Sequence, residues 1–316
     1  MRHRLEYLLV AVVAFFARHL PWRVLSVSGG TLGLAVYAVD AKRRAVTLGN
    51  LARAFPGRPA AERRRIARGV YRHFGRLALE VMKYSALTPD EMVSRVAVEG
   101  AEHVRQAYAA GRGVFFLTAH FGCWEMHGLA HSVYLAPIGV VARPLDNPLV
   151  NDFLERARQA TGNTVIYRKG GLRRILRTLE SGQGVAILID QHIHGKDATY
   201  VDFFGRPAAT TTALAALALR TRAPVIPVFA IPTDPGRYRL IYEHAVESPP
   251  SDSPDPIREL TQRCTDVLEM YVRRYPELWL WMHRRWRDPG SAAEPVEDAG
   301  SVAEADEETD DGPGTR

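Results

Sequence analysis

Apolar and polar positions change their spacing twice along the chain. Tyr7 to Ala17 is an unbroken apolar run behind the basic start Met1–Arg4, and Val24 to Val39 is a second run diluted by Ser26, Ser28, Gly29, Gly30, Thr31 and Gly33. The spacing then becomes helical, with Ile66, Val70, Phe74, Leu77 and Val81 on one face. From about Val96, short apolar runs alternate with helical stretches. Gly113–Ala119, Ile138–Ala142, Thr164–Tyr167, Val185–Ile189, Pro224–Ala230 and Arg237–Glu247 read as strands. Phe121–Tyr134, Asn147–Ala160, Gly171–Ser181, Thr211–Thr221 and Ile257–Tyr275 read as helices. This alternation predicts an α/β fold with a mostly parallel central sheet flanked by helices. No internal repeat interrupts it.

The first apolar run is too short to span a bilayer. Eleven helical residues reach about 17 Å, against roughly 30 Å of hydrocarbon. No small-residue cleavage site follows it, where the chain reads ARHLPW. Residues 1–40 therefore read as an N-terminal membrane anchor with a membrane-associated helix in the interface; a buried helix and a signal peptide are the alternatives. Residues 41–288 form the folded domain. Residues 289–316 read as a disordered acidic tail.

Charge sharpens this division. Of the chain's 41 Lys and Arg and 35 Asp and Glu, the tail holds one base and nine acids, leaving 40 bases against 26 acids in the rest. Arg63, Arg64, Arg65, Arg68, Arg72 and Arg76 crowd one predicted helix. They are either a solvated face or a surface for anionic headgroups. A basic body favours an anionic partner: nucleic acid, a membrane surface or a phosphorylated substrate. Two cysteines, Cys123 and Cys264, give neither a disulfide framework nor a zinc spacing.

In an open α/β sheet, ligands collect at the carboxyl ends of the strands. Four polar residues follow four predicted strands: His120 after FFLTA, Arg143 after GVVA, Arg168 after TVIY and Asp190 after VAILI. His120 is the candidate base, since a neutral imidazole accepts a proton near pH 7. Glu125 follows it in HFGCWE and reaches back to it if His120 sits in the strand–helix turn. The bland reading is a capping His with a Glu favoured by the helix dipole. Arg168 with Lys169 suits a phosphate or an oxyanion, or is a solvated strand end. Asp190, His192 and His194 share one side of an extended segment, and His127 and His131 share a helix face; both resemble metal ligands by residue type only. Cys123 reads as a packed thiol beside Trp124.

The ordered segments NLARAFPG, HFGCWE, RPLDNP, GNTVIYRKGG, ILIDQH, VDFFGRPAATTT, APVIPVF and PELWLWMHRRWR resemble the late acyltransferases of lipid A biosynthesis, within the lysophospholipid acyltransferase-like superfamily. The resemblance runs from about Asn50 to Arg287. It implies a glycerolipid acyltransferase-like fold and a membrane-associated O-acyltransferase at the cytoplasmic face of the inner membrane. His120 would be the general base and Glu125 its orienting partner. Arg143, Arg168 and Asp190 would bind substrate or shape the site, together with the Phe203–Phe204–Gly205 turn. The donor would be acyl-acyl carrier protein or acyl-CoA, and the acceptor a hydroxyl of a phosphorylated glycolipid, a lipid A precursor. No metal, cofactor or nucleic acid is implied. Acyl transfer to another glycolipid or lysophospholipid, or a non-catalytic basic membrane-binding protein, are the alternatives. The aromatic and basic residues Trp279–Arg287 would lie at the interface or on phosphates, or else dock the C-terminal segment.

Overall fold

A computed structural model of the chain describes residues 1–195 and 197–287. The residues read as an acidic tail lie outside the described residues. Four helices open the fold: α1 (Arg2–His19), α2 (Trp22–Val39), α3 (Ala41–Ala54) and α4 (Ala60–Tyr84). After the short α5 (Pro89–Val93) come β1 (Val96–Glu99), α6 (Ala101–Ala109), β2 (Val114–Thr118), α7 (Trp124–Tyr134), β3 (Ile138–Ala142), α8 (Pro148–Gln159), β4 (Thr164–Tyr167), α9 (Leu172–Glu180) and β5 (Gly184–Leu188). The chain continues through β6 (Ala198–Asp202), β7 (Pro207–Thr211), α10 (Ala213–Thr221), β8 (Val225–Asp234), β9 (Arg237–Tyr242) and α11 (Pro256–Arg274).

Seven strands form one sheet in the order β1-β9-β8-β2-β5-β3-β4. Neighbours are parallel except β8 and β9, so the predicted, mostly parallel α/β sheet is present. β2 is central, and all five of its residues are buried. This is why it reads as a continuous apolar run rather than an alternating one. The hairpin β6–β7 was not anticipated. Its turn holds Phe204 and Gly205 both at positive φ, a geometry whose sequence signal is the single glycine.

α2 is long and apolar enough to cross a membrane by length and composition. It packs, however, along α4 on a stripe of glycines. A Cβ at Gly33 would lie 1.9 Å from the Tyr71 carbonyl oxygen, and one at Gly75 would lie 2.2 Å from that of Gly29. The two backbones therefore touch, and the stems of Arg72 and Arg76 lie over Gly30. The glycines that dilute the second apolar run are its docking surface. The opposite positions stay exposed, among them Val27 and Val39. On α1, Leu5, Leu8, Leu9, Val12, Phe15 and Phe16 are exposed at helical spacing, and only Ala14 and Ala17 are buried.

Gly33→Val is expected to lower unfolding stability by at least about 1–3 kcal/mol, because the helices must separate or strain. Gly57→Ala, with nothing within 4 Å of the new methyl, should change it by less than about 0.5 kcal/mol. Urea or thermal unfolding of the two variants checks this; equal effects would contradict the close packing.

Candidate active site

Strand register brings the site together. β2 pairs with β5 so that Thr118 lies opposite Leu188. His120 and Asp190 each lie two residues beyond those paired ends, and thus meet although 70 residues apart in sequence. Likewise, β3 pairs with β4 with Ala142 opposite Tyr167, so that Arg143 and Arg168 leave the sheet side by side. His120, Arg143 and Arg168 all line one cavity of about 470 Å³, which runs inward past β3 and β5 to Leu217 of α10. Asp190 lies behind His120, almost fully buried.

Asp190 holds His120 at two points. One carboxylate oxygen accepts from Nδ1 of the imidazole at 2.9 Å and the other from the His120 backbone N–H at 3.0 Å. The indole Nε1 of Trp279 donates to the second oxygen at 2.9 Å. Burial acts to raise the Asp190 carboxyl, but the imidazole and these hydrogen bonds outweigh it and hold the group below the usual carboxylate range. With Nδ1 committed to a carboxylate, the proton sits there. Nε2 is left as the basic nitrogen, with the Gln191 amide 3.4 Å from it.

Glu125, expected to orient His120, makes its hydrogen bonds elsewhere. α7 begins only at Trp124, so Glu125 lies in its first turn and meets α8. Arg158 clasps it with Nε at 2.9 Å and Nη2 at 2.5 Å, and the Trp124 indole adds a bond at 3.2 Å. Glu125 still lines the cavity. The contact expected of Glu125 is thus made by Asp190, the residue expected to bind substrate or shape the site. Arg158, Trp279 and Gln191 were not singled out beforehand as partners of these groups. Arg158 lies near the end of α8, sixteen residues beyond the end of β3, and Trp279 is far off in sequence.

The turn carrying His120 is fixed on every side. Gly122 adopts φ +57°, and a Cβ there would lie 2.1 Å from the Ala230 carbonyl oxygen. Its N–H donates to Leu278, the Cys123 N–H donates to Ala230, and the His120 carbonyl accepts from Leu280. His73 of α4 donates from Nε2 to the Gly122 carbonyl; burial pulls its imidazole down to about 4, so it is neutral. The aromatic and basic C-terminal segment is therefore a clamp: Trp279, Trp281 and Arg285 are buried, and Asn50 of NLARAFPG donates to the carbonyls of Trp281 and His283.

The other candidates separate. The rings of His192 and His194 meet edge to face, and Asp190 is already committed to His120. His127 and His131 are buried, and His131 bridges the hydroxyls of Tyr108 and Tyr242. Burial pushes the Cys123 thiol well above its usual range, which suits a packed group. Among the described residues, no group of three His, Cys, Asp or Glu side chains is placed to hold a metal ion. Arg143 bonds Asp146 at 3.3 Å at the rim.

Comparison with known proteins matches the chain to enzymes. A family profile described as bacterial lipid A biosynthesis acyltransferase matches residues 1–288. The lipid A biosynthesis palmitoleoyltransferase of Escherichia coli K12 is 27% identical over 271 residues, covering 85% of this chain and 86% of the relative. The lauroyltransferase of the same organism is 27% identical over 90% and 92% of the two chains. A phosphatidylinositol mannoside acyltransferase of Mycolicibacterium smegmatis is 24% identical over 84% and 88%. The crystal structure of the 1-acyl-sn-glycerophosphate acyltransferase PlsC from Thermotoga maritima aligns at 18% identity with a TM-score of 0.37, covering 87% and 98%, too loosely to add to the assignment.

The Glu125–Arg158 pair is shielded on both sides. Arg158→Leu alone is expected to cost about 1–3 kcal/mol, because it leaves a mostly buried carboxylate without its ion-pair partner. Adding Glu125→Gln should recover much of that loss. A double-mutant cycle by denaturant unfolding checks it; additive losses would mean the two groups do not interact.

Proposed function

The chain belongs to the bacterial lipid A biosynthesis acyltransferase family and is an acyltransferase, and from that premise we propose how it works. The reaction moves a fatty acyl chain from an acyl thioester, on acyl carrier protein or coenzyme A, to a hydroxyl of a phosphorylated lipid A precursor. The observation that carries this reading is His120, held by Asp190, lining a cavity with apolar walls and the basic side chains of Arg143 and Arg168.

In the first step, Nε2 of His120 takes the acceptor hydroxyl proton as the oxygen attacks the thioester carbonyl. The tetrahedral intermediate collapses with cleavage of the C–S bond. The departing thiolate takes the proton back from the imidazolium, leaving an ester and a free thiol. Asp190 keeps the tautomer and balances the charge of the imidazolium. Such a base contributes about 10²–10⁴-fold. Arg143 and Arg168 line the same cavity and suit the phosphates of either substrate. Glu125 and Arg158 form a fixed wall beside the reacting atoms.

The enzyme works at the cytoplasmic face of the inner membrane. The exposed apolar faces of α1 and α2 enter the bilayer surface, and the arginines of α4 meet its anionic headgroups. Because α2 is docked on α4 by its glycines, the two helices lie in the interface. The basic body also suits an acidic carrier protein.

Incubating wild type with acyl-acyl carrier protein or acyl-CoA and a lipid A precursor should add one acyl mass. His120→Ala and Asp190→Asn should each lose about 10²–10⁴-fold in kcat, and the double variant little more. If Asp190→Asn keeps near-full activity while Glu125→Gln loses it, the orienting role belongs to Glu125 instead. Separately, Leu9→Glu with Phe16→Glu should sharply reduce co-sedimentation with anionic vesicles. Unchanged binding would exclude α1 as the contact.

A further inference from the structure

Acyl transfer brings two hydrocarbon-bearing substrates to one imidazole, and beside the mixed main cavity the protein has a second chamber that is almost wholly apolar. The second, of about 330 Å³, lies between α4 and α8 under α1. We propose that this second chamber binds a hydrocarbon chain of the lipid acceptor, which enters it from the bilayer along α1; this rests on the acyltransferase reading above.

Leu77, Val81 and Met82 of α4 face Val150, Phe153 and Ala157 of α8 across the chamber, with Val10 of α1 as its cover. Among the described residues its single charged lining group, Glu125, is paired with Arg158. A site so bare of polar groups recognises hydrocarbon and little else. It adjoins the main cavity: Trp124, Glu125, Leu145 and Leu154 line both. The Trp124 ring lies 5.1 Å from that of His120 and so forms the partition next to the base.

α8 has the form of a helix built against an occupant. Val150, Phe153, Leu154 and Ala157 recur at i, i+3, i+4 and i+7, yet no residue of α8 is fully buried. Folded interiors are close-packed, and an apolar face left against empty space forfeits the dispersion contacts that filling would supply. A chain in the chamber supplies them.

The position of α1 indicates which substrate enters. Val10 covers the chamber, while Leu8, Leu9 and Val12 on either side of it in sequence are exposed or partly so. One helix therefore separates the chamber from the surface proposed to meet the bilayer. α1 is tied down at its ends. Asn147, the N-cap of α8, donates to the His3 carbonyl at 3.0 Å and to Glu6 at 2.8 Å, and Lys83 donates to the carbonyls of Arg18 and Leu20. The main cavity, by contrast, carries Arg143, Arg168 and His194 in its lining. It suits a donor delivered through water on an anionic carrier, whereas the second chamber suits a chain that never leaves lipid.

The test uses full-length protein in vesicles and a lipid A precursor with a diazirine at the end of one acyl chain. On irradiation, labelling should map to Met82, Phe153 and neighbouring chamber residues. Ala157→Trp should cut that labelling and raise the acceptor KM about tenfold, with the donor KM changed far less. Met82→Trp, from the opposite wall, serves if Ala157→Trp does not fold. Labelling confined to the main cavity, or chamber labelling by a diazirine-bearing donor chain instead, overturns the proposal. Chamber labelling by the acceptor without any acyl transfer would uphold the chamber and sink the reaction proposed above.

Discussion

The site depends on one buried charge. Asp190 is nearly inaccessible to water, and an ionised carboxylate there is tolerable only if its oxygens are satisfied. Three donors do this: the His120 imidazole, the His120 backbone N–H and the Trp279 indole. They come from two separate requirements of the fold. The first two need β2 and β5 to be neighbours in the given register. The third needs the chain beyond α11 to return across the sheet. The pair is thus a consequence of nearly the whole fold, and a change that lets the C-terminal segment swing away also leaves the carboxylate short of a donor.

The same economy governs the turn between β2 and α7. Its backbone groups find partners on β8 and the C-terminal segment, and glycine at 122 permits an approach to Ala230 that no side chain allows. In the mechanism proposed above, a base held this way needs little reorganisation when a proton arrives, because the imidazole already has its partner and its tautomer. Glu125 then has a separate structural setting. Its clasp by Arg158 joins α7 to α8 at the boundary of the two chambers, which explains why a carboxylate stands in an otherwise apolar wall.

Much of this was legible in the sequence, and what was not has physical reasons. β3 and β4 fall where their apolar runs end, at Ala142 and Tyr167, and the polar residue after each strand of the cluster was visible from strand periodicity alone. Register was not visible. Nothing in HFGCWE or ILIDQH states that β2 and β5 are adjacent, so the near carboxylate, Glu125, was assigned to His120 and the distant one was not. The hairpin β6–β7 hid because Phe204 takes a conformation usually reserved for glycine, held by Glu269 at its N–H. The glycines of α2 read as dilution of an apolar run, since close helix packing leaves no periodic signal distinct from weakness.

Those glycines bear on how the protein would meet lipid under the proposed function. A helix that crosses a bilayer must present apolar surface all round or pack against other spanning helices. α2 instead gives one side to α4, a helix crowded with arginines, and keeps the other side apolar. Carrying α4 into the hydrocarbon would bury several guanidinium groups at a cost of a few kcal/mol each. Leaving α2 at the surface lets its apolar side enter while the arginines stay at headgroup depth. Under the function proposed above, this arrangement suits a protein lying in the plane of the membrane rather than across it.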